Sequence, residues 1–146
     1  MLNQMVRKQL ILLLSVIILC LFSTYFLKFR KKVEVHKQIL SQKEEVLEET
    51  RFKFKPIIEK KGNIHIITIL LEITSYIYPY YLDNNYSKLA VLEIKNNYFT
   101  PTKWIIIEKN NHRVIGQLIF EINQEKMINQ LSLRLFLNEN HEIIWN

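Results

Sequence analysis

The strongest hydrophobic pattern in the chain comes first. From position 9 to position 27 the residues read QLILLLSVIILCLFSTYFL, with no charge, glycine or proline. As a helix this run rises about 28 Å, enough to cross the hydrocarbon core of a bilayer. Arg7 and Lys8 flank one end, and Tyr25 sits near the other, where an amphipathic ring suits the interface. A cleaved signal peptide has a shorter apolar core and small residues at its cleavage site. Here Phe22, Tyr25 and Phe26 crowd the end. The expectation is therefore an uncleaved transmembrane helix over 9–27 behind a short tail, 1–8.

The next segment, 28–50, has a different pattern. It reads KFRKKVEVHKQILSQKEEVLEET, rich in good helix formers. Val33, Leu40 and Leu47 recur every seventh position beside Ile39 and Val46, which predicts a juxtamembrane helix with one apolar stripe. It runs on from the membrane helix or starts afresh at a capping box of Ser41 and Glu44. The stripe would lie on the following domain; the alternative is a short coiled coil with a second copy, making the chain an oligomer through 28–50.

After Thr50 the period shortens to two. RFKFKP (51–56) alternates charge with Phe52 and Phe54, as a half-buried strand does. IHIITILLEI (64–73) is a long apolar stretch rich in Ile and predicts a central strand. KLAVLEIK (88–95), TKWIIIE (102–108), RVIGQLIFEI (113–122), QLSLRLFL (130–137) and HEIIW (141–145) follow, and Leu131, Leu133, Leu135 and Leu137 mark one buried face. Between the runs lie Lys61-Gly62-Asn63, Asp83-Asn84-Asn85, Asn96-Asn97, Asn110-Asn111 and Asn138-Glu139-Asn140. Asparagine tolerates left-handed φ and suits tight turns where glycine is scarce. About seven short strands at this spacing predict an all-β antiparallel sandwich over 51–146.

Charge changes this picture in one respect. The chain carries a net charge of +6. Lys28, Arg30, Lys31 and Lys32, followed by Lys37, cluster just after the apolar run with only Glu34 against them. That position suits contact with anionic headgroups of the lipid bilayer. Later lysines are interspersed with glutamates, and no basic-aromatic motif points to nucleic acid. The same cluster makes sidedness a conflict. Counting Lys and Arg near the membrane puts the C-terminal domain in the cytoplasm, while a short tail, one helix and a β-domain resemble a common exported bacterial plan. The expectation leans to the outer face, with the other side left open.

Candidate chemistry is sparse. Cys20 lies inside the apolar run; Leu19 before it is not the small residue that lipidation wants, and one cysteine builds no disulfide framework. His36, His65, His112 and His141 have no metal-ligand spacing, and two glycines make no phosphate loop. No nucleophile motif is present. The pattern points away from an enzyme and implies no cofactor or metal. The most distinctive segment is SYIYPYYLDNNY (75–86), with Tyr76, Tyr78, Tyr80, Tyr81 and Tyr86 around Pro79. Tyrosine gives large, rigid, amphipathic contact area, as binding loops use. These five are the candidate partner-binding residues, the partner being an envelope or membrane protein. The competing reading is that Tyr76 and Tyr78 pack along a strand.

The stretch IKNNYFTPTKWIIIEKNNHRVIGQLIFEI followed by LSLRLFL resembles the extracellular Ig-like β-sandwich domains of Gram-positive bacteria, a family of unknown function. The likeness covers about residues 63–137 and lies in the Asn-rich turn after a strand and the late strand Gly116 to Ile122. It implies an Ig-like fold and accessory binding at the cell envelope, and it assigns no catalytic residue. The chain departs from the pattern in the short link from Arg113 to Gly116, which implies a lost strand. A long N-terminal helix before β-structure is also similar to pilins, whose cleavage motif is missing here; this resemblance implies a structural subunit of a membrane or pilin-like assembly.

Overall fold

The computed structural model describes residues 4–29, 35–124, 128–138 and 140–145. They form two units, one up to Val33 and one from Glu34 onward.

The first unit is a helix, α1 (Gln4–Phe29), longer at both ends than the apolar run. Its stretch Val6–Tyr25 has a mean hydropathy of 2.0 and is long and apolar enough to cross a membrane. Its hydroxyls are satisfied inside the helix: Ser15 donates to the Leu12 carbonyl and Ser23 to that of Cys20. Such back-bonding keeps polar side chains compatible with an apolar surround.

The second unit is an antiparallel β-sandwich, with ten strands among the described residues. They are β1 (Val35–Ile39), β2 (Lys43–Leu47), β3 (Thr50–Lys61), β4 (Ile64–Thr74), β5 (Ala90–Ile94), β6 (Asn97–Phe99), β7 (Lys103–Lys109), β8 (Arg113–Asn123), β9 (Leu131–Phe136) and β10 (Asn140–Trp145). One sheet has the order β1-β3-β4-β8-β7, with β2 also on β3; the other runs β10-β9-β5-β6. With β3 as the first strand of the frame, the orders become A-B-E-D and G-F-C-C′, the arrangement of an Ig-like Greek key.

Alternation places the core. Phe52, Phe54 and Ile58 of β3, Ile67, Ile69, Leu71 and Ile73 of β4, and Leu118, Phe120 and Ile122 of β8 face Leu92, Ile94, Leu131, Leu133, Leu135, Ile143 and Trp145 of the second sheet. Phe54 meets Trp145 edge to face at 6.5 Å. β4 is central, between β3 and β8, so its outward positions after Ile64 are half-buried too, and Ile66 and Leu70 can be apolar there. Three two-residue turns use left-handed φ, at Glu48-Glu49, Lys95-Asn96 and Gly62.

Within 28–50, the described residues 35–50 correct the helix expected there. Residues 35–39 and 43–47 are strands that lie end to end along β3, with registers Val35↔Lys61 and Lys43↔Phe54. The capping box is absent: the Ser41 carbonyl accepts the Trp145 indole N–H at 2.8 Å. The coiled-coil route to an oligomer falls with the helix. Leu40 and Leu47 do lean on the core, whereas Ile39 and Val46 are exposed; Val33 lies outside the described residues. Helix propensity lost because β3 is twelve residues long and its outer edge needs hydrogen-bond partners. The gap between β1 and β2 sits opposite Pro56. The Pro56 carbonyl accepts the Leu40 N–H at 3.1 Å, so the side on which proline lacks a donor faces this edge, and the ladder breaks there. β8 runs unbroken through Arg113 and Gly116, so no strand is lost at that link.

Candidate binding site

The tyrosine segment leaves the end of β4 and is tied down at once. Ser75 is buried; its N–H donates to the His112 carbonyl at 2.9 Å, and its hydroxyl shares a hydrogen bond with Thr50 at 2.8 Å. That hydroxyl also donates to the Tyr78 carbonyl at 3.0 Å and accepts the Tyr78 N–H at 3.2 Å. Pro79, at φ −63°, then starts the one-turn helix α2 (Tyr80–Asp83). A ring-locked φ in the helical range makes proline a good first residue for such a turn.

This turn sorts the five tyrosines. Tyr81 (2% exposed) and Tyr86 (0%) belong to the core, which removes both from the set of surface contacts expected from sequence. Tyr81 packs edge-on against Phe52 at 5.6 Å. Tyr86 lies against Trp104 at 5.3 Å and donates its hydroxyl to the Tyr81 carbonyl at 2.8 Å. Tyr78 is half-buried and packs against the core. Tyr76 (72% exposed) and Tyr80 (43%) face outward, with Ile77 between them also exposed. The sorting follows from the switch of period: at Pro79 the strand becomes a helical turn, so Tyr80 and Tyr81 point different ways.

Two residues outside the segment complete the site. The Glu48 carboxylate accepts the hydroxyls of both Tyr80 and Tyr81, each at 3.0 Å. Glu48 sits in the β2–β3 turn with φ 45°, followed by Glu49 at φ 63°. Two adjacent non-glycine residues with positive φ are a strained arrangement, and the two phenol bonds help hold it. Burial first, then its bonds to Tyr80 and Glu48, pushes the Tyr81 phenol well above the usual range, so it stays a proton donor. The second residue is His112. Its imidazole stacks on Tyr76 at 4.9 Å, and the His112 backbone N–H donates to the Asn110 side-chain oxygen at 2.9 Å. Thr74, Tyr76, Asn110, Asn111, His112 and Arg113 line a shallow cavity of about 460 Å³. Sequence reasoning missed both. Glu48 reads as one of several solvated glutamates, and His112 signals only through the Asn110-Asn111 turn before it.

Of the expected membrane-surface residues, Lys28 lies in the last turn of α1, and Arg30, Lys31 and Lys32 lie outside the described residues. Among the described residues no three His, Cys, Asp or Glu side chains gather as a metal site would need. What the geometry defines is an Ig-like sandwich whose B–C connection presents two braced aromatic rings. Comparison of the chain with protein-family models, with curated proteins and with solved structures returns no match.

Proposed function

We propose that this chain is a membrane-anchored, non-enzymatic binding module of the bacterial cell envelope. Its anchor is α1, and its contact surface is the Tyr76–Tyr80 segment with His112. The observation that carries the reading is the bracing of exposed rings. Tyr76 rests on His112, Tyr80 is bonded to Glu48, and Ser75 fixes the backbone between them and the sheet. Exposed aromatic area held rigid costs little entropy when a partner covers it. The domain lies on the outer face, in line with the resemblance to Gram-positive envelope domains.

The test is co-purification through a C-terminal tag from mild detergent, comparing the wild type with Tyr76→Ala/Tyr80→Ala. The expected result is a partner protein retained by the wild type and lost from the double variant at unchanged folding. Equal recovery by both refutes this surface. Protease access to the tag in intact cells tests the side of the membrane; digestion only after lysis places the domain inside.

The rival reading, a structural subunit of a membrane or pilin-like assembly, draws support from β7. This edge strand exposes Ile105, Ile106 and Ile107 in succession. A ladder of homomeric crosslinks in detergent extracts supports assembly, and one defined hetero-complex supports the binding module.

A further inference from the structure

A second cavity lies at the opposite end of β4, away from the tyrosine segment. It has a volume of about 320 Å³, and its lining includes His36 and Lys37 of β1, Ile58 and Lys60 of β3, His65 of β4, and Ile128. The register explains the grouping. His36 pairs with Lys60, and Lys60 pairs with His65. Directly opposed residues on antiparallel strands share a face, so a row of three nitrogen bases crosses three adjacent strands.

His65 is the informative member. It is 1% exposed, and no hydrogen bond of good geometry reaches Nδ1 or Nε2 among the described residues, the Gln124 backbone making only a loose polar contact. A neutral imidazole offers one donor and one acceptor, and burying both unsatisfied is costly. Burial and the neighbouring Lys60 ammonium together hold its pKa below the usual histidine range. Nothing in its apolar strand requires a histidine: Ile67, two positions on, fills the equivalent place with hydrocarbon. A polar ring is kept where an aliphatic one would pack, and it borders a cavity with Lys60 at the rim.

We propose that this cavity binds a phosphate group, with His65 as the buried ligand and Lys60 supplying charge at the rim; Lys37 borders the cavity, but it pairs with Glu59 on the other face of the sheet. Among the described lining residues there is no carboxylate to repel it. Lysine ammoniums bind phosphate as point charges through short, charge-assisted hydrogen bonds. The apolar walls of Ile58 and Ile128 suit a short aliphatic portion attached to the phosphate. Two sources carry this chemistry, an anionic phospholipid headgroup and a soluble phosphate compound. The basic run Arg30-Lys31-Lys32, which precedes β1 in the chain, is of the kind that attracts anionic lipid.

The experiment follows the His65 ring nitrogens by NMR in the full-length, ¹⁵N-histidine-labelled chain. One arm titrates inorganic phosphate into the protein in a neutral detergent, at constant ionic strength set with chloride. The other compares nanodiscs of phosphatidylcholine alone with nanodiscs containing phosphatidylglycerol. A saturable His65 shift in the phosphate arm, the lipid arm or both supports the site and names its source. Replacing buried His65 can unfold the domain, so Lys60→Gln, at a half-buried rim position, carries the mutational test. It is expected to weaken binding at least fivefold while the remaining spectrum keeps its dispersion. No His65 shift in either arm, or undiminished binding by Lys60→Gln, overturns the proposal.

Discussion

Gly116 offers the sharpest test of how this sandwich packs. It sits mid-strand in β8, where glycine is ordinarily unfavourable. The reason is Trp104 on the neighbouring strand, whose six-membered ring lies across the position where a side chain would be. A Cβ added at Gly116 would stand 2.2 Å from Trp104 Cη2 and 2.6 Å from Cζ2 and Cζ3. Ordinary carbon contacts are about 3.5–4.0 Å, so Gly116→Ala forces the ring to move by more than about 1 Å. The ring has little freedom to do so. Tyr86 stands against it at 62°, fully buried and held by its own hydrogen bond. Overpacking of this kind costs about 1–3 kcal/mol. The loss of glycine's unfolded-state freedom returns about 0.4–1 kcal/mol. The net expectation is about 1–2 kcal/mol of destabilisation, or a drop in Tm of about 4–8 °C for a domain of this size. Urea and thermal unfolding of the full chain in non-ionic detergent, read by circular dichroism, measure it. The decisive comparison is a double-mutant cycle. In a Trp104→Ala background the ring is gone, and Gly116→Ala should cost less by about 1 kcal/mol or more. A Gly116→Ala protein as stable as wild type refutes the argument. So does a penalty that is undiminished without the tryptophan.

Three further outcomes are expected. Glu49→Gly relieves a left-handed non-glycine residue and should raise stability by about 1 kcal/mol, whereas Glu48→Ala removes the acceptor of the buried Tyr81 hydroxyl and should lower it by about 1–3 kcal/mol; urea midpoints of the two variants must move in opposite directions. Tyr81→Ala empties a core position and should cost about 3–5 kcal/mol, while Tyr76→Ala, on the surface, should change stability by no more than about 0.5 kcal/mol; differential scanning calorimetry separates them. Because the folded state depresses the His65 pKa, it binds fewer protons than the unfolded chain below the ordinary value of 6.5. That contribution to stability is complete above pH 6.5 and is lost as pH falls toward the folded-state value. Urea midpoints in phosphate-free buffer should therefore decline from pH 7.5 to 5.5, and a flat or rising profile contradicts the assignment.

Much of the fold was legible because period-two patterning survives wherever one sheet face is buried. β4, β8 and β9 lie within a residue or two of the runs at 64–73, 113–122 and 130–137, and the turn at Asn96 takes the left-handed φ that asparagine tolerates. The segment 35–47 was not legible, for a definite reason. Nearly all of its side chains are exposed, so burial leaves no period to read. What holds it is the backbone ladder to β3, which side-chain patterning does not encode. Spacing of seven at Leu40 and Leu47 suggested a helical stripe; the same two residues reach the core from a strand that is interrupted between them. The candidate site divides in the same way. A cluster of tyrosines is visible in sequence, but which rings are core depends on the helical turn at Pro79 and on Phe52, which stands 24 or more positions earlier. Glu48 and His112 reach the site only through tertiary contacts of 32 or 33 and 36 positions' separation.

The two outer edges of the larger sheet bear on the choice between a binding module and an assembly subunit. Strand addition needs a regular row of unpaired donors and acceptors. One edge of this sheet is β1 and β2, parted opposite Pro56 and carrying charges at Lys37, Lys43, Glu44 and Glu45. The other is β7, which bulges at Ile107 between the pairs Ile106↔Gly116 and Glu108↔Ile115. A bulge bends a strand and disrupts its ladder. Ile105 to Ile107 are therefore exposed on an edge whose backbone is poorly shaped to take a partner strand, and their exposure has a simpler cause. The facing sheet ends at β6, a strand of three residues, so beyond Trp104 the inner side of β7 is left open at Ile106, while Ile105, opposite Gln117, lies on the outer side. With both edges interrupted, growth by continuation of this larger sheet is disfavoured, which favours the proposed binding module over an assembly subunit built through it. Straightening β7 by deleting Ile107 then tests the inference directly: if the bulge guards the edge, the deletion variant should self-associate in analytical ultracentrifugation at concentrations where the parent chain does not, and a variant that remains as dispersed as the parent would show that something other than the bulge protects the edge.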